Sequence, residues 1–283
     1  MIDLENLRAW QDRREAAEDV VTASRVAAMA ATLDRDDPPP APGDALPPPW
    51  HWMFCVPVAR QSALGPDGHP ARGGFLPPVP LPRRMWAGGR LAFPGALRVG
   101  DRVRRESRVV SVDHKRGRTG DLVFVLVRHE FHGPTGLALT EEHDIVYRDL
   151  PVPGAPGPAP VPAPQDAEWA RTVVPDDVLL FRYSALTFNG HRIHYDRRHA
   201  TMAEGYPGLI VHGPLIATLL VDLLRRERPG AHIAAFEFRA VKPLFDIAPF
   251  AVCGRPDPDG RTVRLWARDA EGSLAMDAKA TVA

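Results

Sequence analysis

Cysteine is nearly absent: Cys55 and Cys253 are the only two in 283 residues. Two are too few for a disulfide framework, and their separation gives no metal-site spacing. A reduced, cytoplasmic compartment is therefore expected. No stretch approaches the ~18 consecutive apolar residues of a membrane-spanning helix. Met1 to Gln11 is too charged to be the apolar region of a secretory signal, so no membrane association is expected. Neither sign of charge is in excess, since 35 Lys and Arg balance 35 Asp and Glu. Such a chain has no global field to recruit nucleic acid, and no nucleic-acid partner is expected. No glycine-rich dinucleotide fingerprint, phosphate loop or nucleophile elbow occurs, and Ser184 lacks the flanking glycines of a serine hydrolase. No cofactor is expected.

Proline, by contrast, is abundant, with 31 residues, and it clusters. Pro38–Pro49 holds seven in twelve residues, and Pro151–Pro164 holds seven in fourteen. The second run has no apolar periodicity and reads as an extended, semi-rigid linker over 151–167. It divides the chain into 1–150 and 168–283, each long enough to bury a core. Near-equal halves suggest a duplicated fold, although no residue-level repeat joins them.

In the first half, Val20, Ala23, Ala27 and Ala30 share one helical face, which predicts a helix over Arg14–Leu33 ended by Pro38. An irregular stretch runs to about Pro82. A short strand at Leu91–Phe93 follows, then longer ones at Asp101–Val112, Leu122–Phe131 and Leu137–Tyr147, with Gly133-Pro134 as a turn. Glu141, Glu142, His143 and Asp144 form an acidic run that reads as a solvated edge. In the second half, a polar, loop-rich stretch (Arg182–Tyr206) leads to the longest apolar helix, Pro214–Arg226. Ile216, Leu219, Leu220, Leu223 and Leu224 form its stripe, and Pro229-Gly230 stops it. Strands follow at Ile233–Val241, Pro249–Gly254, Thr262–Asp269 and Ser273–Val282. One long helix followed by consecutive antiparallel strands is an α+β pattern, and a sheet curved around the helix is the simplest way to bury it.

The chemistry concentrates in Phe181–Leu220, which holds Asn189, His191, His194, Asp196, His199 and His212. Thr187-Phe-Asn-Gly-His-Arg-Ile-His-Tyr-Asp196 and Ile210-Val-His-Gly213 together resemble the two signatures of MaoC-like, hot-dog-fold enoyl-thioester hydratases. The first half, through Arg84-Met-Trp-Ala-Gly-Gly89 and Thr140-Glu-Glu-His-Asp-Ile-Val-Tyr-Arg148, resembles the degenerate half of a double hot-dog subgroup. That subgroup includes mesaconyl-CoA and itaconyl-CoA hydratases and mitochondrial-type 3-hydroxyacyl-thioester dehydratases. The resemblance implies two antiparallel sheets, each wrapping a central helix, with one active site carried by the second half. The family's catalytic Asp falls at Asn189, which cannot serve as a general base.

Adding water to a 2-enoyl thioester needs a base for the water that attacks C3, a proton at C2, and hydrogen-bond donors for the thioester oxygen. His194 is suited to the first two, since free imidazole titrates at about 6.5. Asn189 can hold the water. Gly213, at the start of the long helix, can offer its N–H from the positive end of the helix dipole. Arg84, Arg192 and His212 are the candidates for substrate contact, the arginines for a distal carboxylate. Taken singly, His194 and His212 also read as structural histidines, Asn189 as a turn residue and Asp196 as a helix N-cap. The spacing of His191, His194 and His199 is not that of a helical metal pair, and no metal is expected. The resulting expectation is a hydro-lyase acting on a short acyl-CoA, with a branched C5 dicarboxylic substrate. The alternatives are a dehydratase of fatty acid metabolism, a hot-dog thioesterase, and a non-catalytic acyl-CoA binding module. A second copy of the chain is the one protein partner left open.

Overall fold

The computed structural model describes residues 2–117, 120–149 and 159–283. Most of the expected linker lies outside them. Its described end runs along the second unit, where Pro162 bridges to Ser273 and the Ala163 amide donates to the Gly272 carbonyl.

The first unit contains α1 (Leu4–Arg8), β1 (Arg14–Val20), α2 (Ala23–Thr32), β2 (Arg83–Ala92), β3 (Arg102–Gly117), β4 (Gly120–Gly133) and β5 (Gly136–Arg148). The second contains β6 (Trp169–Val173), α3 (Asp177–Leu186), α4 (Gly213–Glu227), β7 (Ile233–Ala240), β8 (Phe250–Pro256), β9 (Thr262–Arg268) and β10 (Leu274–Val282). All strands join one antiparallel sheet in the order β1-β3-β4-β5-β2-β7-β10-β9-β8-β6. Numbered within its own unit, each half has the order first, third, fourth, fifth, second. The duplication expected from the halves is thus one of topology. The units meet at β2 and β7, where neither strand is left as an open edge. Gly88 lies in this seam: a Cβ there would stand 2.6 Å from the Phe238 carbonyl oxygen, so only glycine allows the approach.

The second sheet curves around α4 as the leucine stripe predicts. Leu215 through Leu224 are buried without interruption. The one charge among them, Asp222, accepts from Arg35, Arg171 and Arg226 at 2.6, 3.0 and 2.7 Å. Such pairing is what a buried carboxylate requires. No helix among the described residues is long and apolar enough to cross a membrane.

Four local expectations need correction. The helix predicted over Arg14–Leu33 is a strand to Val20 and a helix only from Ala23. Backbone pairing of β1 with β3 overrides the helical apolar spacing. β2 is a ten-residue strand rather than the short Leu91–Phe93, because the Gly-Gly pair that weakens its pattern is what the seam requires. The loop-rich reading of Arg182–Tyr206 missed α3, which the Asp176 carboxylate caps by accepting from the Leu179 amide at 2.8 Å. Outward-facing Val178 and Phe181 blur its amphipathic face. Finally, the acidic run is no edge: β5 pairs with both β4 and β2, and Glu141 is 1% exposed.

Candidate active site

The loop after α3 carries the first signature. Two residues past the end of α3, Phe188 adopts φ +50°, and the Asn189 amide donates back to the Ser184 carbonyl at 2.8 Å. This reversal turns the chain toward a short 3-10 turn, Arg192–His194. The second signature runs beside it, since the Ile210 amide donates to the Ile193 carbonyl at 3.0 Å. That pairing brings the His194 Nδ1–H within 2.7 Å of the Ile210 carbonyl oxygen. With Nδ1 committed, Nε2 of the neutral ring is an open acceptor. His194 is 7% exposed, and burial lowers its pKa to about 4, against the opposing effect of the Ile210 bond. It is therefore neutral at physiological pH, with Nε2 able to accept a proton.

His212 was expected to touch substrate, and the structure places it elsewhere. It is fully buried and stacks on His194 with ring centroids 3.8 Å apart. Its Nε2 lies 2.8 Å from Ser184 Oγ. It backs the His194 ring on the side away from the cavity, which Gly213 and His194 line and His212 does not. Gly213 opens α4, and a Cβ built on it would meet nothing within 4 Å. The space beside its Cα is room for a ligand near the positive end of the helix dipole.

Asn189 also lines the cavity, but its Oδ1 accepts from the His191 amide at 3.0 Å. The turn role and the site role coincide, and only the side-chain NH₂ is left for water. Asp196 caps as expected, accepting from the His199 amide at 2.9 Å. The two arginines differ. Arg192 is spent on Asp196 at 2.7 Å and on the Pro66 carbonyl at 3.0 Å. Arg84 lines the cavity and pairs with no carboxylate among the described residues. It stands near enough to Tyr147, His69 and His191 for its charge to bear on all three.

These groups share one cavity of about 1740 Å³ between the units. Its walls include Trp52, Trp86 and Phe131 of the first unit and Tyr183 and Ile216 of the second. Sequence reasoning missed two groups here. Glu141 lies beneath the first unit's wall, held by His51, Trp52 and His143 at 2.9, 2.7 and 2.5 Å. Asp67 and His69 sit in the irregular stretch before Pro82 and reach the catalytic loop, with the His69 and His191 rings 4.1 Å apart. The only signal for either was the residue types themselves.

The chain is similar to several known proteins. The family model described as hydroxyacyl-thioester dehydratase type 2 matches residues 49–246. The mesaconyl-C(4)-CoA hydratase of Chloroflexus aurantiacus is 49% identical over 275 residues, covering 95% of each chain. The mitochondrial hydroxyacyl-thioester dehydratase type 2 of Schizosaccharomyces pombe is 27% identical, covering 74% of this chain and 77% of its own. Among solved structures, a MaoC-like dehydratase superposes with TM-score 0.70 at 15% identity, covering 97% of this chain and 98% of its own. A Mycobacterium tuberculosis protein with a double hotdog fold superposes with TM-score 0.60 at 14% identity and 96% coverage of each.

Proposed function

The chain belongs to the hydroxyacyl-thioester dehydratase type 2 family, and on that premise we propose that it hydrates a branched C5 dicarboxylic enoyl-CoA of the mesaconyl-C(4)-CoA kind. The observation that carries this reading is that His194, with its Nδ1 committed to the Ile210 carbonyl, and Gly213, the first residue of α4, line one cavity. The thioester oxygen accepts from the Gly213 N–H, which meets the negative charge that develops there as water adds. His194 takes the proton of the attacking water and returns it to the leaving hydroxyl in the reverse direction. The Asn189 NH₂ positions that water.

In a mesaconyl-C(4) thioester the free carboxylate sits on the carbon that receives the hydroxyl. A charge beside the attacked carbon and away from bulk water must be paired. Arg84 lines the cavity without a carboxylate partner among the described residues, as do Arg72 and Arg148. Arg72 is spent on the Val79, Leu81 and Pro82 carbonyls, and Arg84 is the one whose charge bears on both His69 and His191. Its fork suits that carboxylate. The test is a panel of enoyl-CoAs offered to the purified protein, with loss of the conjugated chromophore and release of free thiol followed together. Chromophore loss without thiol, fastest on mesaconyl-C(4)-CoA, is the expected result. Thiol release overturns the hydratase reading. Faster turnover of unbranched monocarboxylic enoyl-CoAs overturns the dicarboxylate.

A further inference from the structure

Asn189 supplies no carboxylate, and it has turned its Oδ1 into its own loop. A carboxylate nevertheless reaches this end of the cavity, from the other unit. Asp67 Oδ2 lies 3.1 Å from His69 Nδ1, and Asp67 Oδ1 accepts from the His69 amide at 3.0 Å. Both carboxylate oxygens thus hold one residue, and the ring hydrogen bond leaves His69 Nε2 uncommitted. The segment is fastened to the catalytic loop. The Arg192 amide donates to the Asp67 carbonyl at 2.9 Å, and the Arg192 side chain to the Pro66 carbonyl at 3.0 Å. Gly68 and Gly190 pack so closely that a Cβ on Gly68 would stand 1.9 Å from the Gly190 carbonyl oxygen. The His69 ring lies 4.1 Å from the His191 ring, which lies 5.4 Å from the His194 ring. All three line the one cavity.

We propose that the Asp67–His69 pair is the second acid–base group of the catalytic centre, exchanging the proton at C2 while His194 serves the water at C3. The assignment rests on His194 as the water-side base. In hydration, a water O–H bond breaks as its proton passes to His194 Nε2 and its oxygen bonds to C3. The C2=C3 π pair moves toward the thioester, and C2 then takes a proton from His69 Nε2, whose imidazolium is balanced by Asp67. His194 ends with one proton more and His69 with one fewer, and the His191 ring between them gives the proton its way back. Dehydration reverses each transfer. The charged and titratable groups facing His69 are Asp67, Arg84, Arg72, His191 and His194. Burial and the arginines hold the free pair in its proton-accepting form. The negative charge of a dicarboxylic substrate shifts it toward the donating form.

The variants His69→Gln and Asp67→Asn, measured in both directions, test this. His69→Gln is expected to lower kcat by ~10² or more, the usual loss for an acid–base group, with KM changed less than about threefold. Deuterium incorporation at C2 in D₂O should slow in parallel, and imidazole should restore part of the rate to His69→Ala. Asp67→Asn should show the same pattern more weakly, and it carries the test if His69→Gln melts well below wild type. Near-normal kcat in His69→Gln or Asp67→Asn, beside an inactive His194→Gln, overturns the pair and leaves the His194 reading standing. Full activity in His194→Gln as well would defeat that reading itself. Stoichiometric zinc in the purified protein, lost in His69→Gln, would make Asp67, His69 and His191 a metal site and overturn the proposal.

Discussion

Replacing His194 by Gln removes the imidazole while leaving an amide that can still donate to the Ile210 carbonyl, now 2.7 Å from Nδ1. Alanine would strip that carbonyl of its donor, at about 1–3 kcal/mol, and leave a void beneath the stacked His212. Gln keeps both the volume and the bond, so lost activity is not lost fold. Loss of the base lowers kcat by ~10²–10⁴, a barrier increase of about 3–5 kcal/mol. The pH profile tests the environment as well as the residue. Burial carries the His194 pKa from 6.5 down to about 4. The base acts when neutral, so wild-type kcat/KM for hydration should show no acid-side loss from neutrality to roughly pH 5. Stability follows with the corresponding sign. The unfolded chain takes this proton near 6.5 and the folded protein only near 4, so the contribution is complete above 6.5 and falls away toward 4. Between pH 7 and pH 5 that is about 2 kcal/mol, which wild type should lose and His194→Gln should not. Chromophore loss gives the rate, and urea unfolding at the two pH values gives the stability difference. An acid limb near the free-imidazole pKa, or equal pH sensitivity of the two proteins, refutes the reasoning.

Arg84→Leu should raise KM for mesaconyl-C(4)-CoA about tenfold or more, the worth of one charge-assisted hydrogen bond. Crotonyl-CoA, which lacks the carboxylate, should be nearly unaffected, and equal losses on both would disprove the pairing. Gly213→Ala places its methyl in open cavity space. It should leave the melting temperature unchanged while lowering kcat/KM at least about tenfold, since one methyl displaces the thioester from its donor. Asp222→Ala strands three guanidinium groups around a site whose side-chain exposure is now 0%. Urea unfolding should show a loss of about 3–5 kcal/mol.

The sequence by itself determined the parts whose information is local. The Leu219-Leu220 and Leu223-Leu224 stripe ended by Pro229-Gly230 fixed α4, because one apolar face must be buried and proline cannot continue a helix. Apolar runs between turn signals located β4, β5 and β7–β10 to within two residues at each end. Alternation, which follows from side chains pointing in and out by turns, located β3 except for its last five residues. The Thr187–Asp196 and Ile210–Gly213 segments marked the candidate catalytic loop and the helix start through their resemblance to the two MaoC-like signatures. Only the tertiary structure decided the rest. β1 is a strand because β3 lies beside it, and Glu141 is buried because β5 has neighbours on both sides. His212 points behind His194 rather than into the cavity, a choice made by the packing around Ser184. Asp67 and His69, more than a hundred residues from His191, meet it because the β2–β7 seam and the Gly68–Gly190 contact bring the two loops together. A window of sequence records which face a segment buries. The partner it meets there depends on backbone pairings and close approaches between distant segments, which no local pattern encodes.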